Sequence, residues 1–256
     1  MTNVRAIAKL DIKGPKLIKG VSYEGVRVIG DPKDYAKKYY HDGIDELIYI
    51  DTVASLYNRI SLFDLVEKTV KDVFIPLTVG GGVRSINDVD RLLRSGADKV
   101  CLNTSLIQCP HVAEKISSVY GQQSLVASID FKHDHGDFKF FVDNGLIEAQ
   151  YNIQELISFL NPLPFCEILL QSIDKDGTGT GFDLTLANTF RDLPNNKILV
   201  ETDAPYLSPV PLRGKPNEPS YIIHTVKFLS DLKKISFEEF SETTSNNFFN
   251  LFGKLN

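Results

Sequence analysis

Short apolar runs rich in β-branched residues recur along the chain. Each is followed by a stretch whose apolar positions repeat every three or four residues. Read as strands, the runs fall at Arg5–Leu10, Glu46–Ile50, Pro76–Val79, Lys99–Leu102, Leu125–Asp130 and Glu167–Leu170. The helical stretches between them include Asp31–His41, Ser61–Lys71, Ile86–Ser95 and Pro110–Tyr120. Such alternation predicts a parallel sheet with helical crossovers. Many of the runs are continuously apolar, as strands covered on both faces must be. Each strand ends in a polar residue suited to a site, which favours a (β/α) barrel over an open doubly wound sheet.

A repeat sharpens this picture. "AIAKLDIKG" around Asp11 resembles "LVASIDFKH" around Asp130, 119 residues on. "ELIYIDTVAS" around Asp51 resembles "EILLQSIDKDG" around Asp174, 123 residues on. Four βα units followed by four more would make a pseudo-twofold barrel with Asp11 and Asp130 on opposite sides of one mouth. The third unit, "IPLTVGGGV", predicts a second glycine turn near residue 204, but the chain there reads "KILVETDAP". That is a strand by pattern and not the repeat. Past Pro219 only helices are predicted, at Tyr221–Lys234 and Phe237–Leu251, with no eighth strand. The expected fold is α/β, a TIM (β/α) barrel left incomplete at about seven strands, as a single domain over residues 1–256.

Composition narrows the function classes. The 256 residues carry a net charge of −5, so charge gives no reason to expect a nucleic-acid or membrane partner. Cys101, Cys109 and Cys166 fall in no CxxC spacing and read as reduced packing residues. No apolar run nears membrane-spanning length and the start of the chain has no signal-peptide shape, so a cytoplasmic protein is expected. No cofactor and no metal site are expected.

Two neighbouring strand ends carry candidate chemistry. "TVGGGVRS" follows a strand and opens a helix, so its glycines let backbone N–H groups approach an anion. Asn103 and Thr104 in "CLNTSL" offer further donors beside it. Asp11 and Asp130 form a carboxylate pair able to divide acid and base roles if their surroundings push their pKa values apart. The bland alternative, in which each caps a helix or pairs with Lys13 or Lys132, stays open. "DKDGTGTG", residues 174–181, imitates an EF-hand loop, but Thr185 stands where calcium needs a glutamate, so it reads as a substrate-contacting loop. His133 and His135 lie in a predicted small β-hairpin with its turn at His135–Asp137; His41, His111 and His224 are isolated.

At "LDIKG…LIKG", "DELIYIDTVAS", "TVGGGVRS", "ADKVCLNTS", "SIDFK" and "EILLQSIDKDGT" the chain resembles the HisF family over about residues 1–190. These are cyclase subunits of imidazole glycerol phosphate synthase in histidine biosynthesis. The resemblance implies a barrel that takes ammonia from a glutaminase partner (HisH-like) and acts on a phosphorylated ribulosyl substrate. It implies Asp11 and Asp130 as general acid and base, and Lys19 as part of the first loop. It further implies Gly81, Gly82, Asn103 and Thr104 at a substrate phosphate, and Ser172, Asp174, Asp176 and Gly177 around the mouth. Arg5, Glu46, Lys99 and Glu167 match a ring of charges that gates ammonia at the N-terminal face, where the glutaminase docks. One departure stands out: Lys9-Leu10-Asp11 replaces the family's Cys-Leu-Asp. In that respect the chain looks more like HisF-like proteins that pass ammonia onto surface sugars, and both branches stay open.

"LVETDAPYL…RGKPNEP" and "TTSNNFFNLFG" resemble the C-terminal end of TatD-family deoxyribonucleases over about residues 194–256. There Asp203 matches one metal-centre residue, but the other ligands have no counterpart, and one carboxylate cannot hold a two-metal site. The replaced tail also removes the glycine turns of a second phosphate site, which would impair a cyclase. The rival readings are a non-catalytic glutaminase-binding scaffold and a TatD-like nuclease.

Overall fold

The computed structural model describes residues 5–54, 62–178 and 197–199, together with 185, 221, 223–224, 226–227, 230 and 236–242. Among these residues eleven strands form one sheet. Seven of them pair in parallel and in chain order: β1 (Ile7–Lys13), β4 (Glu46–Asp51), β5 (Leu77–Gly80), β6 (Lys99–Leu102), β7 (Leu125–Asp134), β10 (Glu167–Ser172) and β11 (Lys197–Leu199). These are the six expected strands plus the seventh from "KIL", and the chain adopts the α/β barrel class that the alternation predicts. Outside lie α1 (Pro32–His41), α2 (Phe63–Thr69), α3 (Ile86–Ser95), α4 (Thr104–Gln108), α5 (His111–Tyr120) and α6 (Ile153–Leu160). Capping boxes start α3 at Ser85 and Asp88 and α6 at Asn152 and Glu155, each satisfying two backbone donors. The tail helices expected at Tyr221–Lys234 and Phe237–Leu251 fall largely outside the described residues, though Ser236 caps a helical turn at 237–242. The stretch 200–220 also lies outside them.

Two further hairpins mark the repeat. β1 runs past Asp11 and turns into β2 (Lys16–Val21) and β3 (Glu24–Gly30); β7 runs past Asp130 into β8 (Asp137–Val142) and β9 (Ile147–Ala149). Each half therefore begins with a long strand folded back on itself. The second hairpin was expected with its turn at His135–Asp137, whereas the first was expected only as a loop. Both aspartates lie inside their strands, not at the ends. Register also corrects the repeat alignment. Ile7 pairs with Glu46 and Val126 with Glu167, so the second strand of each half is offset by 121 residues. Asp51 thus corresponds to Ser172, not to Asp174.

Side chains alternate between two cores, as a strand's period of two requires. Outward residues such as Ala8, Leu10, Leu47 and Tyr49 join helix residues such as Ala36, Val89 and Ile116 in the main cluster. Inward residues Ile7, Ile48, Cys101, Val126 and Leu169 form a second, enclosed cluster with Ile50 against it. That second core exists because the sheet curls. β1 and β10 are five pairings apart along the sheet, which laid flat would separate them by about 24 Å. Yet the Arg5 guanidinium on the β1 side bonds both Glu46 and Glu167. At the other end, Gln171 Nε2 donates to Tyr23 Oη at 2.7 Å and Lys19 Nζ reaches Asp176 at 2.7 Å.

Lys99 completes the floor. Its Nζ lies 2.8 and 2.9 Å from the Glu46 carboxylate and 3.0 Å from Glu167, while Thr78 Oγ1 donates to Glu46 at 2.8 Å. Two cations and two anions thus alternate in a closed, buried ring. Replacing Glu46 by alanine leaves Arg5 and Lys99 sharing one carboxylate in a dry site. The expected loss is about 3–5 kcal/mol, read from urea unfolding at neutral pH; a loss below about 1 kcal/mol would mean the ring contributes little.

Candidate functional site

The C-terminal ends of the strands surround a cavity of about 180 Å³ that opens to solvent. Lys9 and Asp11 project into it from β1, Ser128 and Asp130 from β7, and Gln171 from β10. The i, i+2 spacing places each of the first two pairs on one face of its strand. Asp11 and Asp130 therefore line one space, as the repeat predicts.

Their surroundings differ. Asp11 Oδ1 accepts from Lys9 Nζ at 3.0 Å and Oδ2 from Lys19 Nζ at 3.4 Å. Burial raises the Asp11 pKa, but the nearby Lys9 and Lys19 ammonium groups outweigh it and hold the carboxyl below its ordinary value. Neither helix capping nor Lys13 is involved. Asp130 is buried, with Ser128 Oγ and Gln171 Nε2 each 3.3 Å from Oδ1. Burial dominates there and pushes its pKa up to about 7, against a smaller lowering by Lys9 and Ser128. Lys132, the bland alternative for Asp130, instead lies over the Phe141 ring, 5.1 Å from its centroid. One carboxyl is stabilised as an anion and the other as an acid, the split that acid–base pairs use.

A tyrosine ties the mouth shut on one side. Tyr23 sits in the β2–β3 turn at φ 64, a left-handed conformation that costs a bulky residue energy. Its hydroxyl is held by Gln171, and burial with Asp130, Asp176 and Asp11 nearby pushes its pKa well up. Ser22 N donates to Asp176 O at 2.8 Å beside it.

The glycine turn lines the same cavity. Gly81 has φ 96, and a Cβ there would lie 2.3 Å from Asp51 O, so only glycine fits. Gly82, Asn103 and Thr104 also face the cavity. The Asn103 amide donates to Ser128 O at 3.1 Å and Phe141 O at 3.3 Å, and Thr104 Oγ1 bonds Asp143 at 3.2 Å. These side chains thus pin the β8–β9 hairpin to the rim. Lys19 and Asp176 line the cavity as an ion pair. Ser172, Asp174 and Gly177 do not line it. Among the described residues Ser172 Oγ is buried without a hydrogen-bond partner, Asp174 accepts from His133 N at 2.7 Å, and Gly177 packs on Gly20. The loop beyond residue 178 that was read as contacting substrate, and Asp203, lie outside the described residues.

Arg5, Glu46, Lys99 and Glu167 form the floor ring at the opposite end. Between ring and mouth stands the enclosed apolar layer of Ile7, Ile48, Cys101, Val126 and Leu169, with Lys9 above it in register with Ile48. Sequence reading assigned no role to Lys9, Tyr23, Ser128 or Gln171. The period of two flags Lys9 and Ser128, each two residues before an aspartate; nothing local flags Tyr23 or Gln171, whose contact spans 148 residues. Among the described residues no helix is long and apolar enough to cross a membrane, and no three His, Cys, Asp or Glu side chains gather as a metal site would.

A two-carboxylate mouth at the strand C-termini and a buried charge ring at the other end define the class, a (β/α) barrel with its polar cavity at the C-terminal face. The chain belongs to the family described as "Histidine biosynthesis protein", which matches residues 5–200. A second family, "TatD related DNase", matches residues 179–253. A hisF2 protein of Parasynechococcus marenigrum (strain WH8102) is 66% identical over 168 residues, 66% of this chain and 62% of that relative. The imidazole glycerol phosphate synthase subunit HisF of Legionella pneumophila is 49% identical over 73% of this chain and 88% of its own length. That of Thermobifida fusca (strain YX) is 40% identical over 78% of this chain and 81% of its own.

The environment of Asp130 has a measurable cost. Its folded pKa stands near 7 against 3.8 for a free side chain. The stability this carries is fully present below about pH 4 and is lost as pH rises through 7. Asp130→Asn is therefore expected to be more stable than the parent at pH 8, by roughly 2–4 kcal/mol. The gap should narrow toward pH 4. Urea unfolding of both proteins across this range checks it, and a gap independent of pH would refute the assignment.

Proposed function

We propose that this chain is a HisF-type cyclase subunit of imidazole glycerol phosphate synthase, a lyase-class enzyme acting on a phosphorylated ribulosyl substrate in histidine biosynthesis. The observation that carries this reading is the pair of carboxylates in one cavity, Asp11 held as an anion by Lys9 and Lys19 and Asp130 held toward its acid form by burial. Asp11 is the general base that removes a proton as nitrogen is added. Asp130 is the acid that delivers one to the departing oxygen. The turn at Gly81 and Gly82, with Thr104 beside it, receives a substrate phosphate on backbone N–H groups. Ammonia reaches the mouth through the lumen, past the ring of Arg5, Glu46, Lys99 and Glu167, from a glutaminase docked on that floor. The names of the relatives support the same reading, since they are HisF subunits. The protein works in the cytoplasm.

A second reading has its own support. Lys9 replaces the cysteine of histidine-pathway cyclases. Under that reading the barrel delivers ammonia to a separate sugar-amidating enzyme and keeps the floor and lumen for transit.

Turnover of the phosphorylated ribulosyl substrate with ammonium chloride, without partner, tests the first reading directly. Asp11→Asn and Asp130→Asn are each expected to reduce it at least about 100-fold. With free NH3 held constant, kcat/KM should fall above about pH 7 as Asp130 loses its proton. No turnover in the parent at any ammonium concentration would refute the cyclase and favour a transit or scaffold role.

A further inference from the structure

We propose that the residue two positions before each aspartate, Lys9 in the first half and Ser128 in the second, decides which carboxyl acts as base and which as acid. The inference rests on the acid–base reading above and deepens it. The two halves of the barrel place these residues equivalently. Lys9 and Asp11 lie two apart on β1, Ser128 and Asp130 two apart on β7, and both pairs are 119 residues from their counterparts. All four side chains project into the same cavity. Backbone symmetry alone would give two carboxyls of equal character.

The difference between the halves is chemical. Lys9 is buried and presents its ammonium 3.0 Å from Asp11, whereas Ser128 presents a neutral hydroxyl 3.3 Å from Asp130. Among the other groups facing the pair, Lys19 on β2 adds to the asymmetry, but from farther away: its ammonium lies 3.4 Å from Asp11 and is drawn to Asp176 at 2.7 Å. Lys9 stands closer to Asp11 and also weighs, less strongly, on Asp130. Gln171 on β10 and Tyr23 in the β2–β3 turn bring neutral groups to the Asp130 side. Cys101 on β6 is buried, and its thiol is pushed up to about 12 by that burial, with Asp130 adding to it. The strand neighbours of Asp11 and Asp130 on β4 and β8, Ile50 and Phe141, carry no charge.

Lys9 is a positioning residue: it acts through Asp11 and need not touch substrate. Its location adds a second constraint. It stands above the enclosed apolar layer, so a fixed cation borders the lumen just below the mouth. That cation favours the arrival of neutral ammonia over ammonium.

The test is a carboxyl 13C NMR titration of the whole chain, without substrate, in the parent and in Lys9→Ser, Lys9→Gln, Lys9→Arg, Ser128→Lys and the Lys9→Ser/Ser128→Lys exchange. In the neutral Lys9 variants Asp11 should titrate higher by about one pH unit or more, and Lys9→Arg should restore it. In Ser128→Lys, Asp130 should fall by a similar amount. In the exchange variant the order of the two should invert. A folded Lys9→Ser in which Asp11 stays within about 0.3 pH unit of the parent, or an exchange that keeps the parental order, overturns the proposal. Should neither neutral Lys9 variant fold by circular dichroism, Ser128→Lys alone decides by whether Asp130 falls. Absence of turnover in the parent ends the cyclase reading and leaves these titrations to judge Lys9 separately.

Discussion

Arg5 carries one charge and must satisfy two carboxylates from strands that the sheet separates by five pairings. Only a strongly curled sheet brings Glu46 and Glu167 to the same guanidinium. Burying four ions costs several kcal/mol each unless every charge finds partners of good geometry. Here each anion meets both cations, and Glu46 gains Thr78 besides. The ring therefore acts less as net stabilisation than as a geometric condition: a flatter sheet would strand the charges. Everything above it, from the apolar layer to the mouth, inherits the curvature that this condition imposes.

Within that cylinder, repetition and its breakage divide the work. The two halves repeat down to the hairpin that follows each first strand, which brings Asp11 and Asp130 to one cavity. They differ in the residue beneath each aspartate and in the residues from the far strand. Burial is common to both carboxyls, and it is the count of nearby cations that separates them. A symmetric scaffold thereby holds an asymmetric pair, with the asymmetry residing in few side chains.

Much of this was legible in the chain. The seven parallel strands, the partners of the floor ring and the facing aspartates follow from apolar runs, the repeat and the family resemblance. What escaped had a physical reason. The β2–β3 hairpin has exposed, mixed residues such as Val26 and Val28, so no alternation announces it. Asp51 and Asp174 look equivalent by local spelling, but hydrogen-bond register makes Ser172 the counterpart of Asp51, and spelling carries no register. Tyr23 and Gln171 meet only because the sheet curls, which no window of sequence reveals. Ser172 and Asp174 were grouped with the mouth because they follow a strand, yet alternation and the His133 backbone turn them elsewhere.

The strap across the mouth has a consequence of its own. Tyr23 is held in an unfavourable backbone state by a bond to β10, and Ser22 and Lys19 grip Asp176 beside it. These contacts span the seam between the first and sixth barrel strands while also bordering the reaction space. Tension stored in the turn is thus released by the same unfastening that widens the aperture, so hardening the protein against heat at this seam would slow the traffic of molecules through it.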